Sequence, residues 1–164
     1  MDSTQKVVII TGASQGIGAA LVPAYRKLGY AVVANSRSIA PSQDPDVLTV
    51  AGDVAVPGVG ARIAAEALDR FGRIDSLVNN AGVFVAKSLA IEYAGRGIRA
   101  NTVALGIIRT PMHPADTHDF LAALHPLGRM GEISDVVEAV LYLETARFVT
   151  GETLHVDGGQ SAGH

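Results

Sequence analysis

Short runs of apolar, largely β-branched residues recur along the chain: Val7-Val8-Ile9-Ile10, Ala31-Val32-Val33-Ala34, Val47-Leu48-Thr49-Val50, Ser76-Leu77-Val78, Ile98 to Val103 and Thr153 to Val156. Runs of this length and composition predict strands buried on both faces. Helical stretches lie between several of them. These are Ile17 to Leu28, with Ala19, Ala20, Leu21 and Ala24; Val59 to Arg70; Val85 to Ala94; and Ser134 to Leu143, with Ser134 as N-cap. Strand and helix alternate, which predicts an α/β fold with a doubly wound parallel sheet. Ser38 to Asp46 and Thr110 to His125 read as loops or weak helix. Val136, Val137, Val140 and Leu141 form a helical stripe that reads as core.

Composition narrows the picture. The 164 residues fit one compact domain, so residues 1–164 are expected to form a single domain. With 48% hydrophobic residues there is ample surface to bury, yet runs such as Val103 to Ile108 fall far short of a membrane span. A net charge of −3 leaves no basic excess to neutralise a nucleic-acid backbone. The absence of Cys excludes disulfides, thiolate metal sites and a thiol nucleophile. The polar start Met1 to Lys6 lacks the plan of a signal peptide, and a cytoplasmic location is expected by default. His113, His118 and Asp119 sit close in sequence, but their spacing is not a zinc spacing and no HExxH occurs, so no metal is expected.

The chain has 18 Gly, and the sharpest cluster is Thr11-Gly12-Ala13-Ser14-Gln15-Gly16-Ile17-Gly18, directly after the first strand and opening the first helix. A helix N-terminus presents unpaired N–H groups to a pyrophosphate; Gly12 permits a tight turn, Gly16 a close backbone approach, and Gly18 close packing of helix on strand. The bland alternative is a plain glycine-rich turn.

Thr-Gly-x-x-x-Gly-x-Gly at Thr11 to Gly18, Asp53-Val54 after the third strand, Asn79-Asn80-Ala81-Gly82 after the fourth and Val156-Asp157-Gly158-Gly159 near the end together resemble the short-chain dehydrogenase/reductase family. Further similarity runs through Ser88 to Ala94, Gly97 to Asn101 and Pro126 to Arg129. The resemblance implies a Rossmann-type sheet binding NAD or NADP. It assigns Gly12 and the stretch Ser14, Gln15, Gly16, Ile17 and Gly18 to the pyrophosphate, Asp53 and Val54 to the adenine, and Asn80, Ala81 and Gly82 to the wall beside the adenosine ribose. Ile108 and Thr110 match the loop that holds the nicotinamide carboxamide. Leu105 departs from the pattern, standing where the family usually has Pro before Gly106.

The end of the second strand bears on cofactor choice. An NAD site places Asp or Glu there to hold the ribose hydroxyls. This chain has Asn35-Ser36-Arg37-Ser38. Arg37 is suited to pair with a 2′-phosphate, so NADP is expected over NAD, with Ser36 and Arg37 in the site. Gln15 stands where NADP-binding members often carry Arg, and an exposed loop cation is the alternative role for Arg37.

The resemblance fails at the chemistry. Family members move a proton with Tyr and Lys spaced Tyr-x-x-x-Lys, which puts both on one helical face. Four residues after Tyr25, Tyr30, Tyr93 and Tyr142 stand Gly29, Ala34, Gly97 and Ala146. Asn79 to Phe84 resembles the end of the family's fourth strand and Ala86 to Ala90 the second half of its sixth helix, so the block carrying Ser, Tyr and Lys is missing, and no catalytic residue is assigned. Lys87 matches a position beyond that motif. The family's strand order 3-2-1-4-5-6-7 is then expected to become six strands in the order 3-2-1-4-6-7. Lost helices leave apolar area exposed, so a homo-oligomer through Val136 to Leu143 and Thr153 to Val156 is expected. The reading is an NADP-binding domain of oxidoreductase type with doubtful turnover; a non-catalytic nucleotide-binding protein and an inactive remnant remain the alternatives.

Overall fold

The computed structural model describes residues 5–80 and 86–162. The chain divides into two compact units, residues 1–82 and 83–164.

The first unit runs β1 (Val7–Thr11), α1 (Gly16–Lys27), β2 (Ala31–Ser36), β3 (Val47–Ala51), α2 (Val59–Phe71) and β4 (Ser76–Val78). All pairings are parallel, and the sheet order is β3-β2-β1-β4. Every residue of β1 and β2 is buried, as unbroken apolar runs demand. Side chains alternate across the sheet. Val7 and Ile9 join Ala31, Val33, Val50, Ile63 and Ala67 in a core under α2. Val8 and Ile10 take the opposite face, and α1 packs on β1 and β2. Leu21 and Tyr25 are its fully buried side chains. Before β4, Asp75 grips the start of β1: its Oδ2 accepts from the Val7 N–H at 2.8 Å, and its own N–H donates to the Val7 carbonyl at 2.9 Å.

The second unit runs α3 (Ala86–Tyr93), a 3₁₀ turn at Ala94–Arg96, β5 (Thr102–Leu105), a 3₁₀ turn at Ala115–Thr117, α4 (His118–Ala122), α5 (Ile133–Thr145), β6 (Thr153–Val156) and a last turn at Gln160–Ala162. β5 and β6 are parallel, with Val103 opposite Leu154 and Leu105 opposite Val156, and α5 packs on both.

Three expectations need correction. Among the described residues the strands form a four-stranded sheet, in the expected order 3-2-1-4, and a two-stranded sheet, not one sheet in the order 3-2-1-4-6-7. β5 begins at Thr102, not Ile98. Arg99 is drawn away to cap α5, donating to the carbonyls of Leu143 at 2.7 Å, Glu144 at 2.9 Å, Val149 at 3.0 Å and Ala146 at 3.2 Å. The N-cap of α5 is Glu132 rather than Ser134: Glu132 accepts from the Asp135 N–H, and Asp135 Oδ2 accepts from the Glu132 N–H at 2.8 Å. This reciprocal box satisfies two orphan donors, where a serine one turn-step later would satisfy one.

Candidate dinucleotide site

In the first unit, the residues singled out in the sequence converge on one edge, the carboxyl ends of the four strands. The chain passes from β1 outward to β2 and β3, then returns to lay β4 on the other side of β1. The order therefore reverses between β1 and β4, and in open parallel sheets ligands bind at that switch point.

The loop from Gly12 to Gly18 rises there. Gly12 and Gly16 take positive φ, 67° and 55°, conformations that a side chain would strain. Gln15 is the N-cap of α1 in extended conformation and makes no side-chain cap, so no side chain closes the first turn of the helix. Ser14 and Gln15 are exposed, Ile17 is half-buried and Gly18 is buried. A Cβ on Gly18 would collide with the Gly12 carbonyl and come within 3.0 Å of Asn80 Nδ2. Gly18 thus lets helix and loop close on each other, and Asn80 lies beside them.

The floor under this loop is hydrogen-bonded. The Ala13 N–H donates to the Asn35 carbonyl at 2.8 Å. Asn35, 1% exposed, donates its amide to the carbonyls of Val50 at 2.8 Å and Gly52 at 3.1 Å, and the Gly52 N–H donates to the Ser36 carbonyl at 2.9 Å. Thr11 reaches the other way, its hydroxyl 3.4 Å from the Val78 carbonyl and from Asn79 Oδ1. Asn35 and Thr11 therefore tie the ends of all four strands into one rim. Neither was assigned a role from sequence; the signal was a polar residue ending each buried apolar run.

Around this rim, Ser36 is buried and its hydroxyl has no hydrogen-bond partner among the described residues. Arg37 is exposed. The loop that follows is anchored at its far end, where Arg26 pairs with Asp44 at 3.0 Å and Asp46 at 2.7 Å. The Asp46 N–H and Arg26 hold the Asp44 carboxyl below its ordinary range. Asp53 is half-buried and closes a turn, its Oδ1 accepting from the Ala55 N–H at 3.0 Å, with Val54 exposed beside it. Ala81 and Gly82 lie outside the described residues.

Ile108 and Thr110 belong to the second unit, in the loop after β5. Ile108 is 5% exposed and forms an isolated bridge with Gly131, and the Arg109 N–H donates to the Gly131 carbonyl at 2.7 Å. Thr110 Oγ1 accepts from the Met112 N–H at 3.4 Å. Beyond the loop, Arg109 spans Glu132 at 2.9 Å and His118 Nδ1 at 2.9 Å, and His118 Nε2 lies 3.1 Å from the His113 carbonyl, so that ring is engaged on both nitrogens. Of the tyrosines, Tyr25 and Tyr30 are core, edge to face at 5.2 Å, while Tyr142 is 55% exposed. The side chains of Lys87 and Ser88 lie outside what is described.

Comparison with known proteins meets this geometry. Residues 6–87 match the family model described as short chain dehydrogenase, and residues 84–161 match the one described as enoyl-(acyl carrier protein) reductase. The chain belongs to the short chain dehydrogenase family. Among its relatives, carbonyl reductase family member 4 of Xenopus laevis is 49% identical over 74 residues, 45% of this chain and 31% of that protein. The chain thus spans about a third of the length of that relative. A putative ketoacyl reductase 2 of the granaticin polyketide synthase from Streptomyces violaceoruber is 29% identical over 238 residues, 93% of this chain and 95% of the relative. The fold of this short chain dehydrogenase is matched by ElxO with NADP bound, at a TM-score of 0.87 and 22% identity, covering 98% of this chain and all of that one. A 4-hydroxyisoleucine dehydrogenase complexed with NADH matches at 0.86 and 19% identity over 98% of this chain.

Proposed function

We propose that this short chain dehydrogenase binds a nicotinamide dinucleotide at the rim of its first unit, NADP ahead of NAD, and turns over poorly or not at all. The observation that carries the reading is the uncapped N-terminus of α1, facing the switch point behind a loop that only glycine satisfies at positions 12, 16 and 18. That donor set fits a pyrophosphate. Asp53 and Val54 would border the adenine, Asn80 the adenosine ribose, and Ile108 and Thr110 the carboxamide, by family resemblance. The preference for NADP is supported by Arg37, exposed with no carboxylate at the end of β2, next to the Ser36 hydroxyl, which has no partner among the described residues. Among solved structures with this fold, NADP and NADH both occur.

When bound, the nicotinamide supplies the hydride chemistry. The chain's own residues bind and orient it, but no Tyr is followed four residues on by Lys, so proton transfer lacks its usual pair. Loss of a positioned acid–base group costs a factor of about 10²–10⁴ in rate. An internally missing block is supported by two facts: 93% of a 164-residue chain is spread over 238 aligned positions, and the two family models meet at residues 84–87. The reading treats residues 1–164 as one dinucleotide-binding domain and pairs two copies through α5 and β6. Titration with NADPH and NADH, following nicotinamide fluorescence, tests it. Saturable binding, tighter for NADPH, is expected. Absence of binding at millimolar cofactor would leave an inactive remnant as the better account.

A further inference from the structure

His125 is 3% exposed, and its ring sits where glycines make room. A Cβ on Gly106 would come within 2.9 Å of its Nε2, and one on Gly158 within 3.2 Å of its Cβ. The ring spans two elements. Nε2 accepts from the Ile107 N–H at 3.0 Å, and Nδ1 faces the Leu121 carbonyl of α4 at 3.0 Å. A backbone N–H can only donate and a carbonyl can only accept, so these contacts together require the neutral tautomer with its proton on Nδ1. A second proton would set N–H against N–H and remove the acceptor of Ile107. The ring borders a cavity of 330 Å³, which gives it an exchange route despite its burial.

Ile107 lies in the loop Gly106 to Thr110. That loop is also pinned by the Gly106 N–H to the Val156 carbonyl at 3.0 Å, by the Gly131 N–H to the Ile107 carbonyl at 3.0 Å and by the Arg109 N–H to the Gly131 carbonyl at 2.7 Å. We infer that His125 is a positioning residue that holds the Gly106–Thr110 loop through the Ile107 N–H and would lose that hold on taking a second proton, so that grip on the nicotinamide end of the cofactor weakens with it. The link to the nicotinamide rests on the function proposed above; the latch itself does not.

Other ionisable groups stand near. Asp157 borders Gly106 and spends its carboxylate on the N–H groups of Gly159 at 3.0 Å and Ser161 at 2.9 Å. His155, Arg129 and Asp135 line the same cavity, the last two paired at 2.7 Å. Arg109 lies on the loop, Glu132 caps α5, and His118 and Asp119 share α4 with Leu121. The substitution His125→Gln separates the ring from all of them, since its side-chain oxygen can accept from Ile107 and does not titrate.

The first measurement is the ¹⁵N amide signal of Ile107 in the free protein, followed from about pH 8 down to the acid limit at which circular dichroism still reports the native fold. In the native chain it is expected to shift as the acceptor is lost, and in H125Q to stay put; equal behaviour in both overturns the inference. Should H125Q fail to fold by circular dichroism, a flat Ile107 signal in the native chain alone overturns it. The second measurement compares NADPH with adenosine 2′,5′-bisphosphate, which lacks the nicotinamide. Over that pH range NADPH binding should weaken by about threefold to tenfold more in the native chain than in H125Q, the net worth of one hydrogen bond, with the bisphosphate indifferent to the substitution. Failure of both ligands to bind at any pH strikes the proposed function, while the Ile107 signal still decides the latch.

Discussion

Gly18 sets two local rules against each other. Alanine inside a helix is favoured over glycine by roughly 1 kcal/mol, so propensity alone makes G18A stabilising. The added Cβ, however, would lie 2.8 Å from the Gly12 carbonyl carbon, and backbone there cannot swing aside as a flexible side chain would. Overpacking of that kind costs about 1–3 kcal/mol, so G18A is expected to lower stability in urea denaturation and to weaken dinucleotide binding. Arg37 makes the converse case, because it is exposed and outside the core. R37E should leave stability unchanged, reduce NADPH affinity by about tenfold or more and spare NADH, through loss of one forked contact to a 2′-phosphate. Equal loss for both cofactors would move the 2′-phosphate elsewhere. At this scale the sequence was legible where backbone chemistry is local: glycines at a strand-to-helix turn announce their reason. His125 announced nothing, and Asn35 only its polarity at the end of an apolar run, since the Ile107 N–H and the Val50 carbonyl that they satisfy are brought to them only when distant segments meet.

At the scale of elements, the joint between α2 and β4 depends on Asp75. Burial pushes its carboxyl upward, but the Arg73 guanidinium and the Val7 N–H outweigh that and hold it below the usual carboxylate range. A depressed carboxylate contributes stability that is complete above its unfolded value and is lost as pH falls through the folded one, so this contribution should fade below about pH 4. D75A removes the bonds to Val7 and Arg73 and should cost about 2 kcal/mol at neutral pH, the scale of a charge-assisted hydrogen bond. Thermal melts of D75A and the native chain from neutral pH into acid should converge; parallel curves would show that Asp75 is not the group that titrates. The same scale explains the strand that was misplaced. Ile98 to Asn101 has the composition of a strand, and nothing local reveals that Arg99 is committed to carbonyls at the end of α5. β1 and β2 were legible because their runs are buried throughout and need no distant partner to declare their period.

For the whole molecule, large apolar side chains lie unburied among the described residues. Leu77 on β4 is 60% exposed and Ile91 on α3 is 84% exposed. On α5 only Val136 and Leu143 are fully buried; Val137, Val140 and Leu141 are partly so, and Tyr142 is 55% exposed. The stripe read as core in the sequence is thus core on one side and half-open on the other, which the pattern alone could not divide because both uses need the same helical spacing. Exposed apolar area of this kind favours association. A dimer through α5 and β6 is therefore expected in sedimentation at micromolar concentration, with Y142E shifting it to monomer while the melting point stays within a few degrees, as for a surface change. A native chain that sediments as a monomer would remove this interface. A Y142E chain that remains dimeric would leave the pairing but move it off α5, with the exposed face at Leu77 as the next surface to substitute.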